Sequence, residues 1–461
     1  MTGNPVDRTV VVSSPGKVLL AGGYIVLDRK HTGLVFGLSA RIHVLAQEIP
    51  TSSGVHLREI VVRSPQFLNA TWRFGYHLVP NGGGIKVTQL QSGTPVDSNH
   101  FVETTLNYVL SYISHADPSR ATRGFEPASL LVLADNDYYS KPQDSTTTAA
   151  TPNPNPPRFQ HFNTTLRNAH KTGLGSSAAI VTSLTASLLA HYLPPALFDL
   201  STPHGRRILH NLAQVAHCSA QGKIGSGFDV ASAVYGSCVY RRFSPGLLGA
   251  LPGPGEAGFA EALVGLVDDD GEGEEKGKWD YEIDKESVGL PKGVAIRMCD
   301  VDCGTQTVSM VKKVHAWRDE NPEAAGEVYG KLQGKVEALA KALKRGEVES
   351  VGKVMGPFRE LMRGLGKKSG AAIEPESQEE MLDALEKVEG VLGSVVPGAG
   401  GYDAAAVVLR DDEETEKRVE GFLREWSKSH GIQVGLMNVK GETEGARLED
   451  PREFKAWVAA E

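Results

Sequence analysis

The chain has 461 residues but only four cysteines, Cys218, Cys238, Cys299 and Cys303. That is too few for a disulfide framework, and the C-x₃-C pair has no second pair to complete a tetrahedral zinc site. No apolar run reaches the roughly 18 residues a membrane-spanning helix needs. The opening MTGNPVDRTVVVSSPG lacks the basic-then-apolar order of a secretory signal. The expectation is therefore a cytoplasmic protein away from membranes, with the sequons at Asn69 and Asn163 as chance matches. Basic charge is also short: 48 Lys and Arg face 56 Asp and Glu, for a net −8, which argues against a nucleic-acid partner. The longest basic stretch, Arg363 to Lys368, reads as a solvated helix end. Neither H-E-x-x-H nor G-K-[ST] occurs, so zinc-protease and Walker A chemistry are both excluded.

Glycine is abundant, with 51 residues against a usual share of about 7%. The 25 prolines are ordinary in number, so the excess is not a low-complexity composition. With 40% hydrophobic and 23% charged residues, the chain reads as globular, with a length suited to two or three domains. The glycines then mark either flexible loops or places where backbone closely approaches a ligand.

Thr9–Val12 and Val18–Leu27 read as two strands joined by a tight loop at Ser13-Ser14-Pro15-Gly16, followed by strand-rich segments over Val35–Ile49 and His56–Val62. Helical spacing predicts a helix over Phe101–His115, and Leu130–Leu133 a short buried strand. Ser140 to Pro157 is polar, proline-rich and aperiodic, a flexible insertion at about 140–158. Helices are expected over Ser176–Tyr192 and Arg206–Cys218. The Gly-, Pro- and acid-rich stretch 245–290 is the expected connection between a domain at 1–244 and one at 291–461. The latter reads as a strand at Gly293–Cys299, helices near Val308–Arg318, Ala324–Lys344, Glu347–Leu365 and Gln378–Leu392, then strand, helix and strand (Ala404–Leu409, Glu413–Ser429, Ile432–Val439).

The sharpest chemical feature is KTGLGSSAAI, residues 171–180, at the start of a helix. Gly173 and Gly175 let backbone fold around an anion, Ser176 and Ser177 supply hydroxyls, and the helix N-terminus offers free N–H groups. An ordinary N-cap would use the same serines. G-x-G-x-x-A is formally satisfied, but no buried strand precedes it, so a dinucleotide domain is not expected. Three more glycine loops carry charge: residues 14–27 with Lys17, 220–236 with Lys223 and Asp229, and 396–408 with Asp403. Singly, these could be a snorkelling lysine, a helix-capping aspartate and a turn aspartate. Together they supply what nucleotide phosphoryl transfer requires.

P-G-K-V-L-L-A-G-G-Y, G-L-G-S-S-A-A and P-G-A-G-G-Y-D resemble, in order and spacing, the three signature motifs of the GHMP kinases. Within that family, Gly22-Gly23-Tyr24 stands where mevalonate kinases read G-E-H. This form, with A-Q-G-K-I-G-S-G-F-D and residues 304–317, resembles the fungal phosphomevalonate kinases. The resemblance implies an α+β fold of two domains, an N-terminal ribosomal-protein-S5-like α/β domain and a C-terminal ferredoxin-like domain, with ATP and acceptor meeting in the cleft. It implies ATP and Mg²⁺ as cofactors, 5-phosphomevalonate as acceptor in isoprenoid and sterol synthesis, and a monomer or homodimer. The catalytic residues implied are Lys17, Asp229 and Lys223. ATP would be held by Lys171, Gly173, Leu174, Gly175, Ser176, Ser177 and Ala178, and the metal by Ser177. The acceptor would be held by Tyr24, Ser226, Gly227, Gly398, Ala399 and Gly400. In one respect the sequence departs from the family: other GHMP kinases place a magnesium-binding glutamate shortly before the catalytic aspartate, and no acid stands around Gln221–Lys223. Other readings are mevalonate kinase or another GHMP small-molecule kinase, diphosphomevalonate decarboxylase, and a non-catalytic sensor, which would be expected to lose its lysine or aspartate.

Overall fold

A computed structural model describes residues 9–52, 54, 55, 57–91, 96–140, 157–269, 278–301, 307–402 and 404–458. Most of the 140–158 insertion, the acidic run at 270–277, Cys303 and Asp403 lie outside the described residues. The first half contains β1 (Val10–Ala21), β2 (Thr32–Glu48), β3 (Glu59–Arg63), β4 (Thr71–Val79), β5 (Gly84–Leu90), α1 (His100–Ala116), α2 (Pro118–Arg123), β6 (Ala128–Ala134), α3 (Ser176–Tyr192), α4 (Pro203–Gln221), α5 (Phe228–Tyr235) and β7 (Cys238–Arg241). There follow α6 (Phe259–Val267), β8 (Glu282–Asp284), β9 (Val294–Val301), α7 (Thr307–Glu320), α8 (Pro322–Arg345), α9 (Val348–Ser369) and α10 (Glu376–Leu385). The chain closes with β10 (Val391–Val395), β11 (Ala404–Arg410), α11 (Glu413–His430), β12 (Val434–Glu442), β13 (Arg447–Leu448) and α12 (Lys455–Val458).

The long strand β2 organises the sheet. One edge pairs antiparallel with β1 from Ala46 back to Leu34; the other takes β6, then β12 at Gly37 and Leu38, then β7. Beyond β6 the order continues β3-β4-β5. The second half makes an antiparallel sheet, β10-β11-β9-β12. Strand β12 belongs to both sheets: residues from Val434 to Lys440 pair with β9, and Gly441 and Glu442 pair with β2. The tail then returns to the first sheet, where β13 pairs with β1 and Phe454 packs with Val11, Leu45 and Leu131.

Helix α3 is buried on nearly every side, and its small polar residues face the sheet. Ser183 Oγ donates to Ile42 O at 2.8 Å and Ser187 Oγ to Val44 O at 2.7 Å. These bonds strap the helix along β2 and so fix where its N-terminus points. Helices α10 and α11 cover one face of the second sheet, with Met381, Leu382, Val419 and Leu423 against Ala295, Cys299 and Val407. Among the described residues no helix is long and apolar enough to cross a membrane.

Three expectations need correction. Residues 10–21 form one strand, where two strands and a tight loop were expected; the Ser-Ser-Pro-Gly segment is absorbed as a register shift between Pro15 and Gly16. Its serines are buried, and Ser13 Oγ accepts from Arg41 Nε at 2.7 Å. The helix expected to run to Leu392 stops at Leu385, and Val391–Val395 forms a strand instead. The 245–290 connection is also partly built, since α6 packs into the core through Phe259 and Leu263, and β8 pairs with β7.

Candidate active site

The glycine loop at residues 173–175 lies against β1. Lys17 N donates to Leu174 O at 2.9 Å, which locks the loop to the strand beside the lysine. The Lys17 side chain then runs over the loop, with Nζ 3.5 Å from Gly173 O and 5.8 Å from the centroid of the Phe228 ring. Gly175, at φ +83°, is the N-cap of α3 and makes no side-chain cap hydrogen bond. A Cβ there would sit 2.8 Å from Lys17 Cε. Ser176 and Ser177 begin the helix, and Leu174 and Ala178 are buried.

Asp229 is in the first turn of α5, and its Oδ1 accepts from Val230 N at 3.0 Å. Between Asp229 and Ser177 stands His217 of α4, with a side chain 2% exposed. Its Nε2 lies 3.1 Å from Ser177 Oγ, and its Nδ1 lies 3.9 Å from Asp229 Oδ2. Gln221 Nε2 is 3.1 Å from the same His217 Nε2. Burial pushes the Lys17 ammonium below the ordinary lysine range, opposed by the charge of Asp229. The structure thus brings Lys17, the 173–178 loop and Asp229 together from three separate segments.

The third glycine loop docks beside β1. Gly398 N donates to Leu19 O at 3.2 Å, and the Tyr24 hydroxyl donates to Ala399 O. Tyr24 takes a positive φ of 64° in the turn after β1. Gly400 packs so tightly that a Cβ would fall 2.0 Å from Ile373 O. Tyr24 and Ala399, expected at the acceptor, therefore spend their contact holding the loop to the turn after β1, and Gly400 packs it against the backbone at Ile373. Ser226 O accepts from the Tyr240 hydroxyl at 3.0 Å, which fixes the Ser226–Gly227 turn ahead of α5. Lys223 is not drawn into the cluster: it is exposed after α4, and no side-chain hydrogen bond or ion pair ties it to the described residues. Lys171 is likewise exposed, on an isolated bridge to Tyr139.

Sequence reading missed His217 and Gln221. Both lie on α4 shortly before Asp229, the region where the family's glutamate was sought, and the search was for an acid. Their spacing of four residues places both on one helix face.

Residues 160–237 match the family described as GHMP kinases N terminal domain, and residues 339–430 match GHMP kinases C terminal. A phosphomevalonate kinase of Gibberella zeae is 56% identical over 98% of this chain and 99% of that protein. One from Aspergillus fumigatus is 42% identical over 97% and 98% of the two chains. The structure of Streptococcus pneumoniae phosphomevalonate kinase in complex with phosphomevalonate and AMPPNP is similar in fold, with TM-score 0.61 and 16% identity over 94% of this chain and 100% of that one.

Proposed function

This chain belongs to the GHMP kinases, within them to the phosphomevalonate kinases, and on that premise we propose that it transfers the terminal phosphoryl group of ATP to 5-phosphomevalonate, giving ADP and 5-diphosphomevalonate. The observation that carries the assignment of the reacting site is the meeting of Lys17, the α3 N-terminus and Asp229.

The acceptor is a phosphate monoester with a second pKa of about 6, mostly dianionic at neutral pH. Taking a proton from it is a small task. Bringing two polyanions into contact is the larger one, and it calls for positive charge aimed at the transferring group. Lys17 meets that need from β1, between the loop that would hold the ATP phosphates and the loop at Gly398. The uncapped N–H groups of α3 receive the phosphate oxygens. Asp229 serves chiefly to keep Lys17 charged and oriented, since its charge opposes the desolvation that would neutralise the lysine.

Mg²⁺ fits this cradle as an ion carried in by the nucleotide. Among the described residues no group of three or more His, Cys, Asp or Glu side chains could hold a metal. The donors on offer are hard oxygens, the Ser177 hydroxyl and the Asp229 carboxylate, and Mg²⁺ is commonly held by one or two such ligands plus substrate phosphates and water. When bound, it neutralises charge on the β- and γ-phosphates.

A coupled ADP-release assay offered mevalonate, its phosphate and its diphosphate in turn tests the assignment. Turnover with the monophosphate is expected; turnover with mevalonate alone would sink it.

A further inference from the structure

We propose that His217 is a positioning residue that orients the Ser177 hydroxyl, so that it presents its oxygen to the metal-bound nucleotide; this rests on the phosphoryl-transfer reading above. His217 is buried, with a side chain 2% exposed, and comes from a helix that contributes no other group to the cradle except Gln221.

A hydrogen-bond partner of the ring assigns the tautomer. Gln221 Nε2 is an amide nitrogen and can only donate, so His217 Nε2, 3.1 Å away, is the accepting nitrogen. The ring proton then belongs on Nδ1, the nitrogen that faces the Asp229 carboxylate at 3.9 Å. At that distance the carboxylate is a charge neighbour and not a hydrogen-bond partner, so Gln221 alone assigns the tautomer. Ser177 Oγ, also 3.1 Å from Nε2, can only donate to it, so the Ser177 hydroxyl and the Gln221 amide share that one lone pair as a bifurcated acceptor.

The direction of that bond matters. A hydroxyl that ligates a cation does so through its lone pairs, and it performs poorly if its hydrogen points at the metal. Donation to His217 turns the hydrogen inward to α4 and leaves the oxygen lone pairs facing the cradle. A side chain of α4 thus sets which way an oxygen donor of α3 faces. His217 also stands twelve residues before Asp229 by sequence number, in the region where the family's acid is missing. Its contribution is to aim the Ser177 oxygen. Partners of this kind, which orient a metal's ligands, typically change affinity or activity by about 10–100-fold when removed.

The test compares His217→Ala, His217→Gln, Ser177→Ala and the double variant His217→Ala/Ser177→Ala. Calorimetry measures AMPPNP binding with and without Mg²⁺; steady-state kinetics measures kcat and both KM values. His217→Ala is expected to weaken Mg²⁺-dependent AMPPNP binding and lower kcat by about 10–100-fold, while metal-free AMPPNP binding and the KM for phosphomevalonate stay within about twofold. His217→Gln, whose amide oxygen can still accept from Ser177, is expected to recover part of the loss. The double variant should be no worse than Ser177→Ala alone, because the two residues act through one contact. Unchanged metal-dependent binding in His217→Ala, or losses that add in the double variant, would overturn the proposal. If His217→Ala does not fold, His217→Gln in the presence and absence of Ser177→Ala completes the same cycle. Failure of the phosphoryl-transfer reading would appear separately, as a wild-type protein that binds Mg²⁺·AMPPNP but releases no ADP with phosphomevalonate.

Discussion

Replacing either of two neighbouring glycines by alanine separates the cost of bending the backbone from the cost of moving Lys17. Gly173 and Gly175 both adopt positive φ, +76° and +83°. An alanine held there loses about 1–2 kcal/mol from left-handed backbone geometry, and that loss is common to the two sites. Their surroundings differ. A Cβ at Gly173 meets no heavy atom within 4 Å, whereas one at Gly175 meets Lys17 Cε at 2.8 Å and Cγ at 3.0 Å. The lysine is the flexible partner, so it moves, and its ammonium is carried off the loop. A misplacement of about 1 Å in a group that positions reactants can cost about 10²-fold in rate. Gly175→Ala is therefore expected to lower kcat by about 100-fold, and Gly173→Ala by only a few-fold, while urea unfolding shows similar losses of about 1–2 kcal/mol in both. The assay is ADP release at saturating ATP and phosphomevalonate, paired with denaturation of the same preparations. Equal kcat losses in the two variants would refute the claim that Gly175 is empty of side chain to make room for Lys17.

Other expectations follow from the same geometry. Asp229→Asn should stay impaired from about pH 6 to about pH 9 if the aspartate orients Lys17; recovery at high pH would reveal a general base. Tyr24→Phe removes the hydroxyl that donates to Ala399 O and should raise the KM for phosphomevalonate with a stability loss of about 1 kcal/mol; an unchanged KM would separate this contact from acceptor binding. His210 is buried among Tyr235, Trp279 and Tyr281, and burial pushes its pKa from 6.5 down to about 4. The fold thus disfavours the charged ring, so stability is untouched above the unfolded value and falls as pH drops from 6.5 to about 4, by on the order of 3 kcal/mol. Thermal melts of His210→Gln should show a shallower decline over that window, and an identical decline would exclude this histidine as a source. Arg359 and Glu374 are each 2% exposed and form an ion pair at 2.6 Å. Arg359→Met should destabilise by about 3 kcal/mol or more, read by urea unfolding, and an unchanged midpoint would contradict the buried-pair account.

The helices with one apolar stripe, and the motif residues themselves, were legible because their signals are local. Ser176–Tyr192 matches the observed helix end to end. Its loop could be recognised because the glycines and serines stand together at the helix start, within a run of local motifs. The hairpin β4–β5 was missed although its signal is present: Trp72, Phe74 and Tyr76 alternate inward, and the turn contains Asn81-Gly82 with φ of 57° and 72°. Strand β1 was misread because proline usually ends a strand, and only Arg41 of β2, reaching Ser13, shows why this one continues. His217 was hidden for a related reason. A lone histidine on a buried helix face reads as core, and what sets it apart is its place between Ser177 and Asp229, which only the folded chain defines. The expectation that Lys223 would join Lys17 rested on motif membership, and the spacing within a loop does not fix where a long side chain points.

The return of the tail to β1 has a consequence for how the enzyme comes into being on the ribosome. Ser13 Oγ donates to Glu449 across 436 residues, Val12 pairs with Leu448, and Arg41 donates to Gly445 O. The strand that carries Lys17 leaves the ribosome well before the segment that completes its outer edge. At about 5–20 residues per second, roughly 20–90 s separate the two events. Throughout that interval the nascent chain displays an unpaired edge next to its phosphate cradle, an invitation to the wrong partner that the arrival of β13 withdraws.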